Sequence, residues 1–221
     1  MRLLATKILD FPFKQRLLMK DFSLVEYPFI RIKPLRYNPK KPTDAILVSS
    51  QNAARLFFDY HPIETLSPKT QFFCVGSQTT KLIESRQGKV TVTALNAQEL
   101  ALRIIKEYSH LTFCFACGRK RLPTLETELA KANIALSLHE LYDTHIVSHQ
   151  LNTDFDGVLF YSPSAVEGFL TLNRLKNTHS FCIGPTTAAA LEPHTSFYSV
   201  AKKPNNNSLF LEIMNHYYAK K

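Results

Sequence analysis

Two short segments occur twice in this chain, and the repeat restricts the possible folds more than any other sequence feature. The segment ILVSSQNA, which begins at Ile46, recurs as LFYSPSA from Leu159, and FCVGSQTT from Phe73 recurs as FCIGPTTA from Phe181. The copies are about 110 residues apart, a period too long for a solenoid and typical of duplicated domains. A chain of 221 residues also exceeds the roughly 100–150 that a single core needs. The sequence therefore predicts two related lobes.

Short apolar runs rich in β-branched and aromatic residues alternate with amphipathic helical patterns. This alternation indicates an α/β fold in which each lobe is a parallel sheet flanked by helices. Strands that are apolar on both faces agree with sheets covered on both sides. Asn96 followed by Glu99 predicts a capped helix start, and the polar stretches Tyr37–Asp44 and Lys202–Asn207 predict exposed loops. The predicted strands are Arg2–Leu9, Leu24–Lys33, Ala45–Ser50, Gln71–Gly76, Lys89–Ala94, Leu111–Cys117, Ala135–Thr144, Gly157–Ser162, His179–Gly184 and Ser196–Ala201. The predicted helices include Gln51–Tyr60, Ala97–Tyr108, Ser164–Lys176 and Ser208–Tyr218.

Composition and charge restrict the cellular setting and the partner. The stretch from Met1 to Asp10 lacks a secretory signal pattern, and no apolar run approaches the roughly 20 residues that span a bilayer. Four cysteines do not make a disulfide framework. We therefore expect a cytoplasmic protein with no membrane partner. The formal net charge of +9 indicates an anionic partner, which could be nucleic acid, an anionic lipid or an acidic metabolite.

Three of the six glycines, Gly76, Gly118 and Gly184, directly follow predicted strands. Glycine suits such positions because the chain must turn tightly into a helix there. None of the three belongs to a G-x-G-x-x-G or a G-x-x-x-x-G-K-[ST] motif, so the sequence gives no sign of a dinucleotide or P-loop nucleotide site.

Hydroxyl-bearing hinges follow the strands of both repeat copies. In an open parallel sheet, the carboxyl ends of the strands face the ligand, and the N–H groups at a helix start favour carboxylate or phosphate. Any one hinge is explained equally well as an ordinary helix cap, but four hinges in two repeated pairs favour binding. We expect a small-molecule site between the lobes. The hinges are Ser49–Asn52, Gly76–Thr80, Ser162–Ser164 and Gly184–Thr187.

Three further features leave alternatives open. The basic run Arg119–Arg121 follows a strand end and could bind an anion or simply be solvated. Cys114 and Cys117 form a C-x-x-C pair, but residues three apart on a strand point to opposite faces and no second pair completes a metal set. Tyr142, near the predicted crossing of the lobes, could be catalytic or an ordinary buried tyrosine.

Taken together, these segments resemble the uroporphyrinogen-III synthase family over nearly the whole chain. The anchors are an ordered set of motifs rather than any single one. Two departures are visible: the hinge Ser49-Ser50-Gln51 has no proline, and Thr6-Lys7 replaces the Thr-Arg of many members. The anchors are IGPTTA from Ile183, FYSPSAV from Phe160, V-G-x-x-T from Val75, Cys117-Gly118, and Leu141-Tyr142.

The resemblance implies two lobes joined by two crossing strands, residues 1–32 with 148–221 and residues 33–147. It implies a linear tetrapyrrole substrate, hydroxymethylbilane, which carries an acetate and a propionate on every ring. It also implies no metal or organic cofactor and Tyr142 as the acid, and we expect a monomer that binds no nucleic acid. The alternatives are a degenerate, non-catalytic anion-binding relative and a nucleic-acid binder suggested only by charge. The hinges and the resemblance together predict that substrate is bound by Thr6, Lys7, Ser49, Ser50, Gly76, Thr79, Gly118, Arg119, Ser162, Ser164, Gly184, Thr186 and Thr187.

Overall fold

The computed structural model of the protein describes residues 1–37 and 43–218, which divide into two compact units. Unit 1 comprises Met1–Arg31 with His145–Lys221, and unit 2 comprises Ile32–Thr144. Most of the predicted loop Tyr37–Asp44 lies outside the described residues.

The strands are β1 (Arg2–Ala5), β2 (Ser23–Glu26), β3 (Ile30–Pro34), β4 (Ala45–Val48), β5 (Gln71–Val75), β6 (Val90–Ala94), β7 (Phe113–Gly118), β8 (Leu136–Ile146), β9 (Gly157–Phe160), β10 (His179–Cys182) and β11 (Tyr198–Val200). The α-helices are α1 (Phe11–Leu18), α2 (Gln51–Tyr60), α3 (Ser77–Ser85), α4 (Ala97–Glu107), α5 (Thr124–Lys131), α6 (Pro163–Leu172), α7 (Pro185–Leu191) and α8 (Asn206–Tyr218).

Unit 2 is built around a sheet of order β3-β8-β7-β4-β5-β6, in which the five strands from β4 to β8 pair in parallel. Successive side chains of a strand point to opposite faces, so Leu47 enters the core under α4 and α5 while Ile46 and Val48 enter the core under α2 and α3. The sheet is therefore covered on both sides.

Unit 1 has a parallel sheet of order β11-β10-β9-β1-β2. Leu3 packs in the core beneath α1 and α8, whereas Leu4 packs in the opposite core beneath α6 and α7. Both residues are fully buried. The chain passes between the two units twice, within β3 and within β8.

The predicted strand Leu24–Lys33 is wrong, because it is two strands. β2 belongs to the sheet of unit 1 and β3 to the sheet of unit 2. Pro28 lies between them and has no N–H to donate to a ladder. Phe29 next to it is fully buried in the core of unit 1.

The predicted helix Ser164–Lys176 ends early, at Leu172. Asn173 stops it, since its backbone is extended and its side-chain amide donates to the carbonyls of His149 and Phe169. The predicted strand Arg2–Leu9 also ends early, at Ala5, and α8 begins two residues before the predicted start at Ser208.

Local capping signals fix two helix starts. The predicted cap at Asn96 is confirmed: its side chain accepts from the N–H of Glu99 at 2.9 Å, and the Glu99 carboxylate accepts from the N–H of Leu95. The bounds of α1 were not predicted, although Asp10, which accepts from Phe13 N–H, and Pro12 mark its beginning. Among the described residues, no helix combines the length and the apolar character needed to cross a membrane.

Candidate active site

Four of the six residues predicted to bind substrate in unit 2 lie at the point where the winding of the sheet reverses. From β4 the chain proceeds outward through β5 and β6 on one side, and β7 and β8 lie on the other. In open α/β sheets, ligands bind outside the carboxyl ends of the two strands at such a switch point. Ser49 and Ser50 follow β4 directly, and Gly118 and Arg119 end and follow β7. The fold therefore brings these four residues to one place.

Tyr142 reaches the same point from β8. The pairing of β7 with β8 skips one residue, so that Cys117 pairs with Glu140 but Gly118 pairs with Tyr142. A bulge of this kind redirects a side chain, and the ring of Tyr142 lies over Gly118. A Cβ built on Gly118 would come within 2.6 Å of Cζ and 2.7 Å of Cε2 of Tyr142. Only glycine admits the ring at this distance.

The hydroxyl of Tyr142 lies 3.1 Å from Oγ of Ser50, and Ser50 Oγ also accepts from the N–H of Ala53 at 3.1 Å, which caps α2. Tyr142 is 8% exposed. Burial raises the pKa of its phenol, and the hydrogen bond with Ser50 opposes that rise. The phenol therefore stays protonated at neutral pH and can act as a proton donor.

The basic run divides into two roles. Arg121 turns inward, where its guanidinium donates to the carbonyl of Gly118 at 2.9 Å and to the carboxylates of Glu126 and Glu140. Arg119 is exposed and lies 3.5 Å from Glu140 and 3.3 Å from Asp143. Arg121 therefore fixes the turn after β7, while Arg119 remains exposed at the surface beside Glu140 and Asp143. No sequence pattern separates these two roles.

The turn after β5 supplies backbone donors. Gly76 has φ +83°, a conformation that L side chains rarely adopt, and no side chain caps the first turn of α3 behind it. N–H groups of that turn are therefore available to an anion. Thr79 follows at the buried face of α3, with only 4% of its surface exposed.

Unit 1 repeats the arrangement at its own switch point, between β1 and β9. Ser162 caps α6 by accepting from Ala165 N–H at 3.1 Å. The ammonium of Lys7 lies 4.1 Å from the ring centroid of Tyr161. The hydroxyl of Thr6 is buried and donates to the carbonyl of Leu159 at 2.8 Å, so Thr6 holds β1 to β9.

The remaining predicted residues of unit 1 lie at the starts of α6 and α7. Ser164 is half-buried in the first turn of α6. Gly184 precedes α7 with no side-chain cap, Thr186 is exposed, and Thr187 is buried beneath the helix. Each unit thus offers hydroxyls and uncapped N–H groups at the carboxyl edge of its sheet.

Comparison with known proteins identifies the family. Residues 12–210 match the family described as uroporphyrinogen-III synthase HemD. The chain belongs to this family. The resemblance found in the sequence is thereby confirmed.

Individual HemD relatives agree with this assignment. The porphyrin biosynthesis protein HemD of Ruminiclostridium josui is 27% identical over an alignment 218 residues long, which covers 86% of this chain and 43% of that protein. The chain thus spans less than half the length of this relative. The crystal structure of uroporphyrinogen-III synthetase from Helicobacter pylori has a TM-score of 0.69 at 17% identity and covers 98% of this chain and 100% of that one. A mutant uroporphyrinogen III synthase from Thermus thermophilus has a TM-score of 0.63 at 13% identity, with 99% of each chain covered. The α/β fold with parallel sheets flanked by helices, predicted from the sequence, is confirmed.

The C-x-x-C pair is a pair of core thiols in this HemD-family chain. Cys114 and Cys117 face opposite hydrophobic cores of unit 2, and burial raises the pKa of each thiol to about 12. Within residues 1–37 and 43–218, no group of three or more His, Cys, Asp or Glu side chains could hold a metal ion.

Proposed function

We propose that this chain cyclises hydroxymethylbilane to uroporphyrinogen III, with loss of water and inversion of ring D, and that Tyr142 is the acid. The observation that carries the proposal is the buried phenol of Tyr142, hydrogen-bonded to Ser50 beside Gly118 at the switch point of unit 2. It is the group at this edge of the sheet that is best suited to give a proton at neutral pH.

The predicted substrate-binding residues suit a polycarboxylate. Carboxylates are bound by charge-assisted hydrogen bonds from N–H groups, hydroxyls and cations. The hinges of both units supply such donors, Lys7 and Arg119 supply positive charge, and the net charge of +9 adds an attractive field. Thr6 is an exception, because its hydroxyl already donates to a backbone carbonyl. We infer that Thr6 acts by positioning Lys7 rather than by touching substrate.

The proposed reaction needs one proton donor and precise orientation. Tyr142 gives its proton to the departing hydroxyl of the substrate, which leaves as water and creates a cationic, electrophilic azafulvenium. Ring D attacks through its substituted carbon to form a spiro intermediate, which fragments and closes again with ring D inverted. The proton that the final ring closure releases returns to Tyr142 and restores the phenol. Without the enzyme, the substrate closes to the uninverted isomer. The protein therefore contributes mainly by holding the two ends of the linear tetrapyrrole in the less accessible geometry.

Gln51, which stands where the other serine hinge has proline, does not argue for a degenerate, non-catalytic relative. Ser50 caps α2 and Ser162 caps α6 with the same distance of 3.1 Å. The backbones of the two caps are also alike, with φ −151° at Ser50 and −162° at Ser162. The serine geometry therefore forms without the proline, which supports the enzymatic proposal.

The test is a coupled assay in which hydroxymethylbilane is generated in place, with chelator present and the product isomers separated. We expect mainly the type III isomer. An isomer mixture equal to that of the protein-free control would refute the proposal. We also propose that the chain is a cytoplasmic monomer, and light scattering on the purified protein checks the monomeric state.

A further inference from the structure

The hydroxyl of Ser50 has two hydrogen-bond partners. Chemistry fixes the direction of the bond with Ala53 in every state, and that of the bond with Tyr142 once the phenol is ionised. A serine hydroxyl carries one hydrogen and two acceptor lone pairs. The N–H of Ala53 can only donate, so Ser50 Oγ accepts from it. The hydrogen of Ser50 is then available for the phenolic oxygen of Tyr142 at 3.1 Å. In this arrangement the phenol keeps its own hydrogen free for another acceptor.

The same arrangement favours the ionised phenol once it has given up its proton. A hydrogen bond to a charged oxygen is roughly twice as strong as one to a neutral oxygen. Ser50 is also the cap of α2, a helix of ten residues, whose amino terminus carries partial positive charge. The bonds from Ala53 N–H to Ser50 and from Ser50 to Tyr142 therefore connect the phenol to that positive end.

We propose that Ser50 is a positioning residue for Tyr142, which directs the phenolic hydrogen toward substrate and stabilises the phenolate after transfer. This inference rests on the proposed role of Tyr142 as acid, and it replaces the substrate-binding role predicted for Ser50. The ring itself is held in place by its contact with Gly118.

The other ionisable groups beside the phenol do not supply this stabilisation. Cys117 on β7 is a neutral thiol, because burial raises its pKa to about 12. Arg119 is paired with Glu140 and Asp143 at the surface. The side chain of Ser50, the cap of α2, lies within hydrogen-bond distance of the phenolic oxygen, at 3.1 Å.

Ser162 provides a matched control within the same chain. It caps α6 as Ser50 caps α2. In the part of the chain that the structure describes, its hydroxyl bonds only to Ala165 N–H and to no tyrosine. A substitution at Ser162 therefore removes a serine cap but does not alter a hydrogen bond to Tyr142, so it measures the effect of cap loss alone.

The test uses two substitutions at Ser50. Glycine keeps most of the preference for the helix-cap position but has no hydroxyl. Threonine keeps the capping preference and the hydroxyl. Tyr142 is replaced site-specifically by 3,5-difluorotyrosine, whose phenol ionises closer to neutral pH, and its pKa is read by fluorine NMR without substrate. In Ser50→Gly we expect this pKa to rise, because the bond that stabilises the phenolate is lost. In Ser50→Thr and Ser162→Gly we expect it to stay unchanged. In protein without the fluorinated tyrosine, Ser50→Gly should lower kcat about three- to tenfold with little change in KM. This loss is a part of the ~10²–10⁴-fold rate enhancement that general acids typically give. Ser50→Thr should have the parent kcat.

The outcomes separate this inference from the proposed function. An unchanged pKa in Ser50→Gly would overturn the proposal. A rise in KM alone would also overturn it and would return Ser50 to a substrate-binding role. A raised pKa in a protein that gives only the uncatalysed isomer would uphold the coupling of Ser50 to Tyr142 and reject the enzymatic function. Circular dichroism of each variant checks that it is folded.

Discussion

Replacing Gly118 by alanine should disturb the proposed active site, because the added methyl group would press against the ring of Tyr142. The new Cβ would lie 2.6 Å from Cζ, 2.7 Å from Cε2 and 3.0 Å from the hydroxyl of Tyr142. Separations under 3.0 Å do not occur between real Cβ atoms and their neighbours, so the ring must move. Because Tyr142 is packed in the core of unit 2, its ring cannot move without disturbing its neighbours.

The cost follows from overpacking a buried site, typically about 1–3 kcal/mol of unfolding free energy. A ring displaced by about 1 Å also loses its 3.1 Å bond with Ser50, and misplacement on this scale can cost ~10²-fold in rate. The measurements are the free energy of unfolding by denaturant, and turnover with the ratio of product isomers. We expect both a loss of rate and more of the uninverted isomer.

Two control variants test whether the close contact with Tyr142 causes the loss. Gly184 also lies between a strand and a helix, but a Cβ there would meet only Pro204 at 3.8 Å and its backbone is extended. Gly184→Ala should therefore leave the unfolding free energy within ~0.5 kcal/mol of the parent. In a Tyr142→Leu background, Gly118→Ala should cost much less, because the ring is gone. An equal cost in both backgrounds would refute the argument from close contact.

Four further outcomes are expected. Tyr142→Phe should lower kcat by up to about 10²-fold and change unfolding free energy by no more than ~1–2 kcal/mol; circular dichroism and single-turnover rates check both. Thr187→Ala should weaken turnover only modestly, since one neutral hydrogen bond contributes ~0.5–1.5 kcal/mol, and complete loss in a folded protein would contradict shared binding. The rings of His179 and His216 stack at 3.7 Å, and burial, with His216 beside it, lowers the pKa of His179 to about 4. Because that pKa lies below the unfolded value of about 6.5, the free energy of unfolding is highest above about pH 6.5 and falls as the pH is lowered from there toward 4. Unfolding curves measured across that range check this, and His179→Asn should flatten the dependence. Arg121→Met should lower turnover and unfolding free energy together, because it frees the turn after β7.

The parts of the fold that were predictable depend on local patterns. Ser50 and Ser162 are caps that precede amphipathic helices, and Gly76 sits at a turn that needs positive φ. Such signals extend over only a few residues, so the sequence contains them in full. Pro28 is an equally local signal, because it has no N–H to donate and so argues against one continuous strand over Leu24–Lys33.

Other features depend on residues far apart in the chain. The bond between Ser50 and Tyr142 joins positions 92 apart, and the bulge that turns Tyr142 over Gly118 exists only in the pairing of β7 with β8. The inward turn of Arg121 depends on Glu126 and Glu140 being close by. Predicting these would have required the strand order before any side-chain contact could be considered.

The order of the strands in unit 1 has a consequence for synthesis on the ribosome. β1 lies between β2 and β9, and Leu3 of β1 pairs with Gly157 of β9. At roughly 5–20 residues per second, the first strand waits about 8–30 s for that partner to be made. Unit 2 is a continuous stretch, Ile32–Thr144, and its last residue is synthesised before β9 begins. During that interval Leu3 lacks the neighbours that β9 and α8 supply to its core, so β1 is exposed for longer during synthesis than any strand of unit 2.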